Sequence, residues 1–134
     1  MFCLDTNVVI GIINGRAPHL EARLRAAIDV TPVAIPAIVL FELRYGYARS
    51  NRRVQMEDLL NEFLAPGITV LPFDEIDAAE AGDIRANLEA QGLPIGPYDV
   101  LIAAQARRHA ATLVTLNMRE FSRVAGLDVT DWAA

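Results

Sequence analysis

Four carboxylates stand in this chain at places where a charge needs a reason. Asp5 ends the apolar run Phe2 to Leu4 in "FCLDTN", and Glu42 sits inside "VLFEL". Asp99 follows Pro97-Tyr98 and precedes "VLIAAQA", and Glu120 lies just after Asn117 in "LNMREF". Each has a plain alternative. Asp5 could cap the helix after it, and Asp99 could favour the dipole of a helix start. Glu42 could pair with Arg44 or Arg49 on a surface, and Glu120 could be merely solvated. Brought together, the four would repel one another unless a cation neutralised them. Oxygen donors without His or Cys select Mg²⁺ or Mn²⁺, held by one or two carboxylates plus waters and substrate phosphate. Such an ion activates water for in-line displacement at phosphorus. On spacing, the chemistry is that of a metal-dependent phosphodiesterase.

Convergence depends on the elements that carry these residues. The pattern predicts strands at 1–4, in "TPVAIP", at 68–72, in "TLVTLN" and, near an edge, in "LDVTDW". Between them lie helices at about 6–14, 18–30, from Pro36 through "AIVLFELRYGYARS", 51–64 begun by Asn51, 75–91, and from Pro97 through "YDVLIAAQARRHA". In the third helix Ile38, Leu40, Phe41 and Leu43 read as largely buried, and Asn7 can cap the first. Strands alternating with helices require crossovers, hence a central, mainly parallel sheet of about five strands in one three-layer α/β/α domain over 1–134. Asp5 and Asn117 then share the rim at the carboxyl ends of the strands, where such folds bind ligands. Asp99, opening a helix, needs tertiary packing to reach them.

Composition sets the bounds. Of 134 residues 53% are hydrophobic and 22% charged, the balance of a globular domain. No apolar run approaches the ~18 residues of a membrane span, and the start lacks a basic signal-peptide region, so a cytoplasmic location without membrane contact is expected. A lone Cys3 reads as a small buried apolar residue. The net charge of −5 divides unevenly: +4 over 16–53 and −8 over 54–98. Arg44, Arg49, Arg52 and Arg53, on and just after the helix carrying Glu42, are candidate phosphate contacts. A solvated face pairing with acids of the next helix is the alternative.

Four segments in order, LDTN, FELRYG (41–46), GPYDVLIAAQA (96–106) and LVTLNMREF (113–121), resemble the PIN-domain ribonucleases. Within them the chain is similar to the VapC toxins of bacterial toxin–antitoxin pairs. The resemblance spans essentially the whole chain. It implies Asp5, Glu42, Asp99 and Glu120 as the acidic core, with Asp5 and Asp99 as the ligands of Mg²⁺. Thr6, Asn7, Thr115 and Asn117 are implied as accessory polar residues; the family commonly has Asp where this chain has Asn117. It also implies an RNA substrate, a homodimer, and an antitoxin whose C-terminal tail crosses the site. Two other readings stand beside it: a PIN-fold module that binds RNA or a partner without cleaving, and another Mg²⁺-dependent phosphohydrolase. Phe41, Tyr45 and Tyr47 exceed what one core-facing stripe requires, so part of that helix is expected to meet a dimer mate or the antitoxin, with Arg49 or Arg53 at the rim.

Overall fold

The triplet Phe2–Leu4 lacks polar alternation, the mark of a strand covered on both faces, and it forms β1 at the centre of the sheet. The computed structural model describes residues 1–65 and 67–133. Among them β1 Phe2–Leu4, β2 Val33–Pro36, β3 Ile68–Leu71, β4 Thr112–Val114 and β5 Asp128–Thr130 lie in the order β3-β2-β1-β4-β5. Every neighbouring pair is parallel, so the expected mainly parallel sheet is parallel throughout. Helices α1 Thr6–Ile13 and α2 Pro18–Ile28 lead to β2, and α3 Ala37–Ala48 and α4 Arg53–Leu64 lead to β3. Then α5 Glu75–Ala90 and α6 Pro97–Arg108 lead to β4, and α7 Met118–Phe121 leads to β5. Right-handed crossovers in this strand order put α1–α4 on one face and α5–α7 on the other.

The chain steps outward from β1 to β3, then jumps back across to β4. That reversal opens a crevice beyond the carboxyl ends of β1 and β4, the switch point at which open α/β sheets bind ligands. The register Leu4↔Val114 makes Asp5 and Thr115 the next residues along that crevice.

Packing holds the rim rigid. Leu4, Val9, Ile35, Leu113 and Phe121 are fully buried around the sheet. Burial also pushes the Cys3 thiol up to about 12, which makes it the inert apolar residue expected. Helix α6 is buried on most of its circumference, and Ala103, Ala104 and Ala106 let its neighbours approach closely. Asp74 caps α5 by accepting from the amides of Ile76 and Asp77, while Asp77 accepts from the Asp74 amide. Arg108 donates to both carboxylates and so ties the end of α6 to the start of α5.

Three local expectations need correction. Helix α4 begins at Arg53 rather than Asn51, because the Arg52 amide turns back to the Ser50 hydroxyl at 3.0 Å. Helix α1 is capped by Asp5, with Asn7 already inside the helix. On α3, Val39, Leu43 and Tyr47 recur every four residues and face the core, so Tyr47 is buried and Phe41 is not.

Candidate active site

Asp5 answers both readings of its position. Its extended backbone (φ −75°, ψ 161°) ends β1 as the cap of α1. One carboxylate oxygen, Oδ1, accepts from the Thr6 amide at 2.8 Å, and Oδ2 accepts from the Thr115 hydroxyl at 2.8 Å. The Asp5 amide is held in turn by the Val114 carbonyl. Only 5% exposed, the side chain is fixed by two strands and a helix start. Burial raises its pKa against those two hydrogen bonds, which favour the charged form.

Thr115 is fully buried and does two jobs. Its hydroxyl donates to Asp5 and accepts from the Asn117 amide at 2.9 Å, which turns the chain into α7. Asn117 caps α7 through its backbone, and its side chain makes no capping hydrogen bond. Glu120, one turn on, projects its charge onto Asp99.

Glu42 comes from α3. The Thr6 hydroxyl donates to its Oε1 at 2.9 Å across 36 residues of chain. Thr6 thus links Glu42 to the residue next to Asp5. Burial raises the Glu42 pKa, opposed by the Thr6 bond and reinforced by the Asp5 charge. The surface pairing with arginine that could have explained Glu42 is absent: Arg44 pairs with Glu57, and Arg49 stacks on Tyr45.

Asp99 lies in the first turn of α6, half-buried. Gly96, the cap of that helix, sits so near that a Cβ there would lie 3.2 Å from Asp99 Oδ2. Burial first, then the charges of Asp5, Glu42 and Glu120, push the Asp99 carboxyl up to about 6. Charges from three separate segments, carried by Asp5, Glu42 and Glu120, therefore reach Asp99 at the start of α6. Asp99 is the member that senses all the others.

The donor set suits a hard divalent cation in a particular way. All donors are oxygens, no cationic side chain is among the groups acting on Asp99, and each bonded oxygen of Asp5 keeps a further acceptor position. Among the described residues no three His, Cys, Asp or Glu side chains are drawn tightly enough to hold an ion by themselves. An ion such as Mg²⁺, which keeps most of its waters and takes one or two carboxylates, would not need such a cluster.

The candidate arginines divide. Arg44 is engaged by Glu57, and Arg49 covers the Tyr45 ring at 4.8 Å. Arg52 lines a groove of about 440 Å³ between α1, α3 and α4, whose wall includes Glu42. Arg53 is exposed at the start of α4. Sequence reasoning missed Arg16, which lines the same groove after α1, and Tyr98, whose ring meets Phe41 edge-on at 5.5 Å. The clue to Tyr98 was its place beside Asp99; nothing in the local sequence pointed to Arg16.

Comparison with known proteins bears on the fold and the family. The PIN domain family model matches residues 2–127. A curated relative, the tRNA(fMet)-specific endonuclease VapC of Shigella flexneri, is 36% identical over 98% of each chain. Ribonuclease VapC2 of Rickettsia felis is 35% identical, also over 98% of each. Among solved structures, VapBC2 of Rickettsia felis bound to a promoter DNA fragment aligns with a TM-score of 0.92 and 34% identity, covering 98% of both chains. The chain belongs to the PIN-domain family and, within it, groups with the VapC ribonucleases.

Proposed function

We propose that this protein is an Mg²⁺-dependent endoribonuclease, the toxin of a toxin–antitoxin pair, hydrolysing RNA phosphodiester bonds at the Asp5–Glu42–Asp99–Glu120 site. One observation carries the reading: the Asp99 carboxyl is raised to about 6 by burial and by three acids from distant segments, an arrangement with no structural benefit to the folded chain. Asp5 and Asp99 would hold the ion, which supplies charge neutralisation and an acidified water when bound. Thr115 and Thr6 fix the orientation of Asp5 and Glu42 through the bonds already described. Glu42 Oε1 is taken by Thr6, so Oε2 is free to accept the proton of the attacking water. The water oxygen bonds to phosphorus as the opposite P–O bond breaks; the leaving oxygen takes up a proton from solvent, and Glu42 releases to solvent the one it accepted. Arg16 and Arg52 line the path beside Glu42 and would contact neighbouring phosphates.

The test is direct. Two curated relatives are named for tRNA(fMet), so an initiator tRNA transcript is the first substrate to offer. Cleavage is expected with Mg²⁺ or Mn²⁺ and is expected to stop in EDTA. Cleavage that continues unchanged in EDTA would overturn the metal mechanism.

The partner reading rests on the solved relatives, which include VapBC bound to DNA and a member of the VapBC family of toxin–antitoxin systems. Phe41, Tyr45 and Tyr98 are 47%, 54% and 48% exposed, and the Phe41 ring meets both of the others, an aromatic patch of the kind that partner surfaces bury. We assign it to a homodimer contact, with Arg49 at its edge. Phe41→Ser combined with Tyr45→Ser is expected to weaken self-association at least about tenfold in sedimentation, since aromatic anchors dominate such contacts. A wild-type protein that stays monomeric at high concentration would refute the assignment. No helix among the described residues is long and apolar enough to cross a membrane.

A further inference from the structure

Gln105 is a carboxamide inside the apolar run of α6, and it is 0% exposed. Its neighbours Ile102, Ala103, Ala104 and Ala106 are buried as well, so no helix phase offers Gln105 a route to water. A buried amide must find partners, and this one finds three. Nε2 donates to the Leu71 carbonyl at 2.8 Å and the Pro72 carbonyl at 3.1 Å. Oε1 faces the Ile38 amide at 3.5 Å, a long contact. Each partner is a backbone group left without its regular mate. The β3 ladder ends at Leu71, before Pro72. Ile38 lies in the first turn of α3, whose cap Pro36 has no side chain to offer that turn.

We infer that Gln105 is a positioning residue for the active site, joining the two acid-bearing helices α3 and α6 to each other and to the end of β3. Glu42 lies four residues after Ile38, one turn along the same face of α3; Asp99 lies six residues before Gln105 on α6. Gln105 touches neither acid. It fixes the first turn of α3, one turn before Glu42, relative to the helix from which Asp99 projects. A site built for one ion and one water tolerates displacements of only about 0.5 Å, and a single buried side chain spanning both supports is suited to hold that tolerance. This rests on the proposed acidic metal site; it adds the part of the fold that sets the distance between its two halves.

The test replaces Gln105 by Met, which keeps the volume and removes all three contacts. RNA cleavage is expected to lose kcat at least about tenfold with KM nearly unchanged, because Arg16 and Arg52, the proposed phosphate contacts, lie outside both α3 and α6. Independently of activity, the Mg²⁺ concentration giving half of the metal-induced rise in melting temperature should increase several-fold. A variant that melts lower but keeps wild-type kcat and the wild-type Mg²⁺ midpoint would overturn the inference and leave Gln105 a structural residue. If Gln105→Met does not fold, Gln105→Glu carries the same two readouts, since it keeps the length and the acceptor facing Ile38 while losing the donor to β3. Failure of both to fold would assign Gln105 to folding alone and also overturn it. In the wild type, the Gln105 carboxamide protons should exchange slowly with solvent, and fast exchange counts against the three-way bridge. Should wild-type protein bind Mg²⁺ yet cleave no RNA, the ribonuclease reading fails while the Mg²⁺ midpoint still judges Gln105. Should it bind no Mg²⁺, both fall.

Discussion

Replacing Asp99 by Asn is expected to cut RNA cleavage by at least about 100-fold, the usual scale for removing one electrostatic element of an active site, while making the metal-free protein more stable. The two effects have one cause. Asp99 is held among three other negative charges in a half-buried place, and no cationic group offsets them. Neutralising it relieves repulsion worth about 1 kcal/mol after allowance for solvent screening, hence about 4 °C in melting temperature for a domain of this size. Wild-type protein should gain melting temperature on adding Mg²⁺, because a ligand bound only by the native state stabilises it, and the variant should gain far less. If Asp99 served only the dipole of α6, the sign would reverse: its loss would cost about 0.3–1 kcal/mol and leave the Mg²⁺ response intact. Asp5→Asn makes a useful contrast. It should lose cleavage too, but without stabilisation, because both Asp5 oxygens accept hydrogen bonds and an amide nitrogen would face a donor. Thermal melts of the three proteins in EDTA and in Mg²⁺, with cleavage assays alongside, decide the matter.

Much of this site is written locally. Asp5 is legible because an apolar triplet ending in a carboxylate, followed at once by a helix, fixes a strand end and a helix start in six residues. The parallel sheet follows from strands that alternate with helices, two of them (β1 and β2) apolar at every position, and with it the shared rim of β1 and β4. What the sequence hides is phase and distance. On α3 two stripes are apolar, so periodicity could not decide that Val39, Leu43 and Tyr47 face inward while Phe41 and Tyr45 face out. Thr6 looked like an accessory polar residue, and its bond to Glu42 spans a separation no local pattern encodes. Asp99 had to be carried to the rim by packing of α6, which depends on Gln105, Arg108 and a row of alanines acting together. Gln105 carried a readable signal, a polar side chain in a run with no exposed phase, but the signal names burial and not the partners. Cap chemistry also misled. Asn7 is the better cap by type only if Asp5 is reserved for another task, and Asp5 has enough acceptor positions for both.

The metal-free protein is expected to lose stability as pH rises from about 4 to about 6, the reverse of the trend set by paired surface carboxylates. Asp99 has an ordinary value of 3.8 in the unfolded chain and about 6 in the fold. Between those values the folded state binds more protons than the unfolded one, so raising the pH removes protons preferentially from the native protein and stability falls. The shift would be worth up to about 3 kcal/mol for a fully buried group, and screening of the half-buried Asp99 reduces this to about 1 kcal/mol. Asp5 and Glu42 are displaced in the same direction, by burial first, and reinforce the slope. Asp74 acts oppositely but elsewhere. The Asp77 amide and Arg108 hold its carboxyl below the ordinary 3.8, so its contribution is lost only as pH drops below that value. The two windows adjoin near pH 4 without cancelling. Denaturant midpoints measured in EDTA at pH 4, 5 and 6 should therefore decline in wild type and decline less steeply in Asp99→Asn. With saturating Mg²⁺ the slope should invert, because the ion competes with protons for the same oxygens and gains affinity as they leave. A wild-type midpoint that rises steadily from pH 4 to 6 in EDTA would mean that the four carboxylates do not share one field, and the case for a metal centre at the switch point would fall with it.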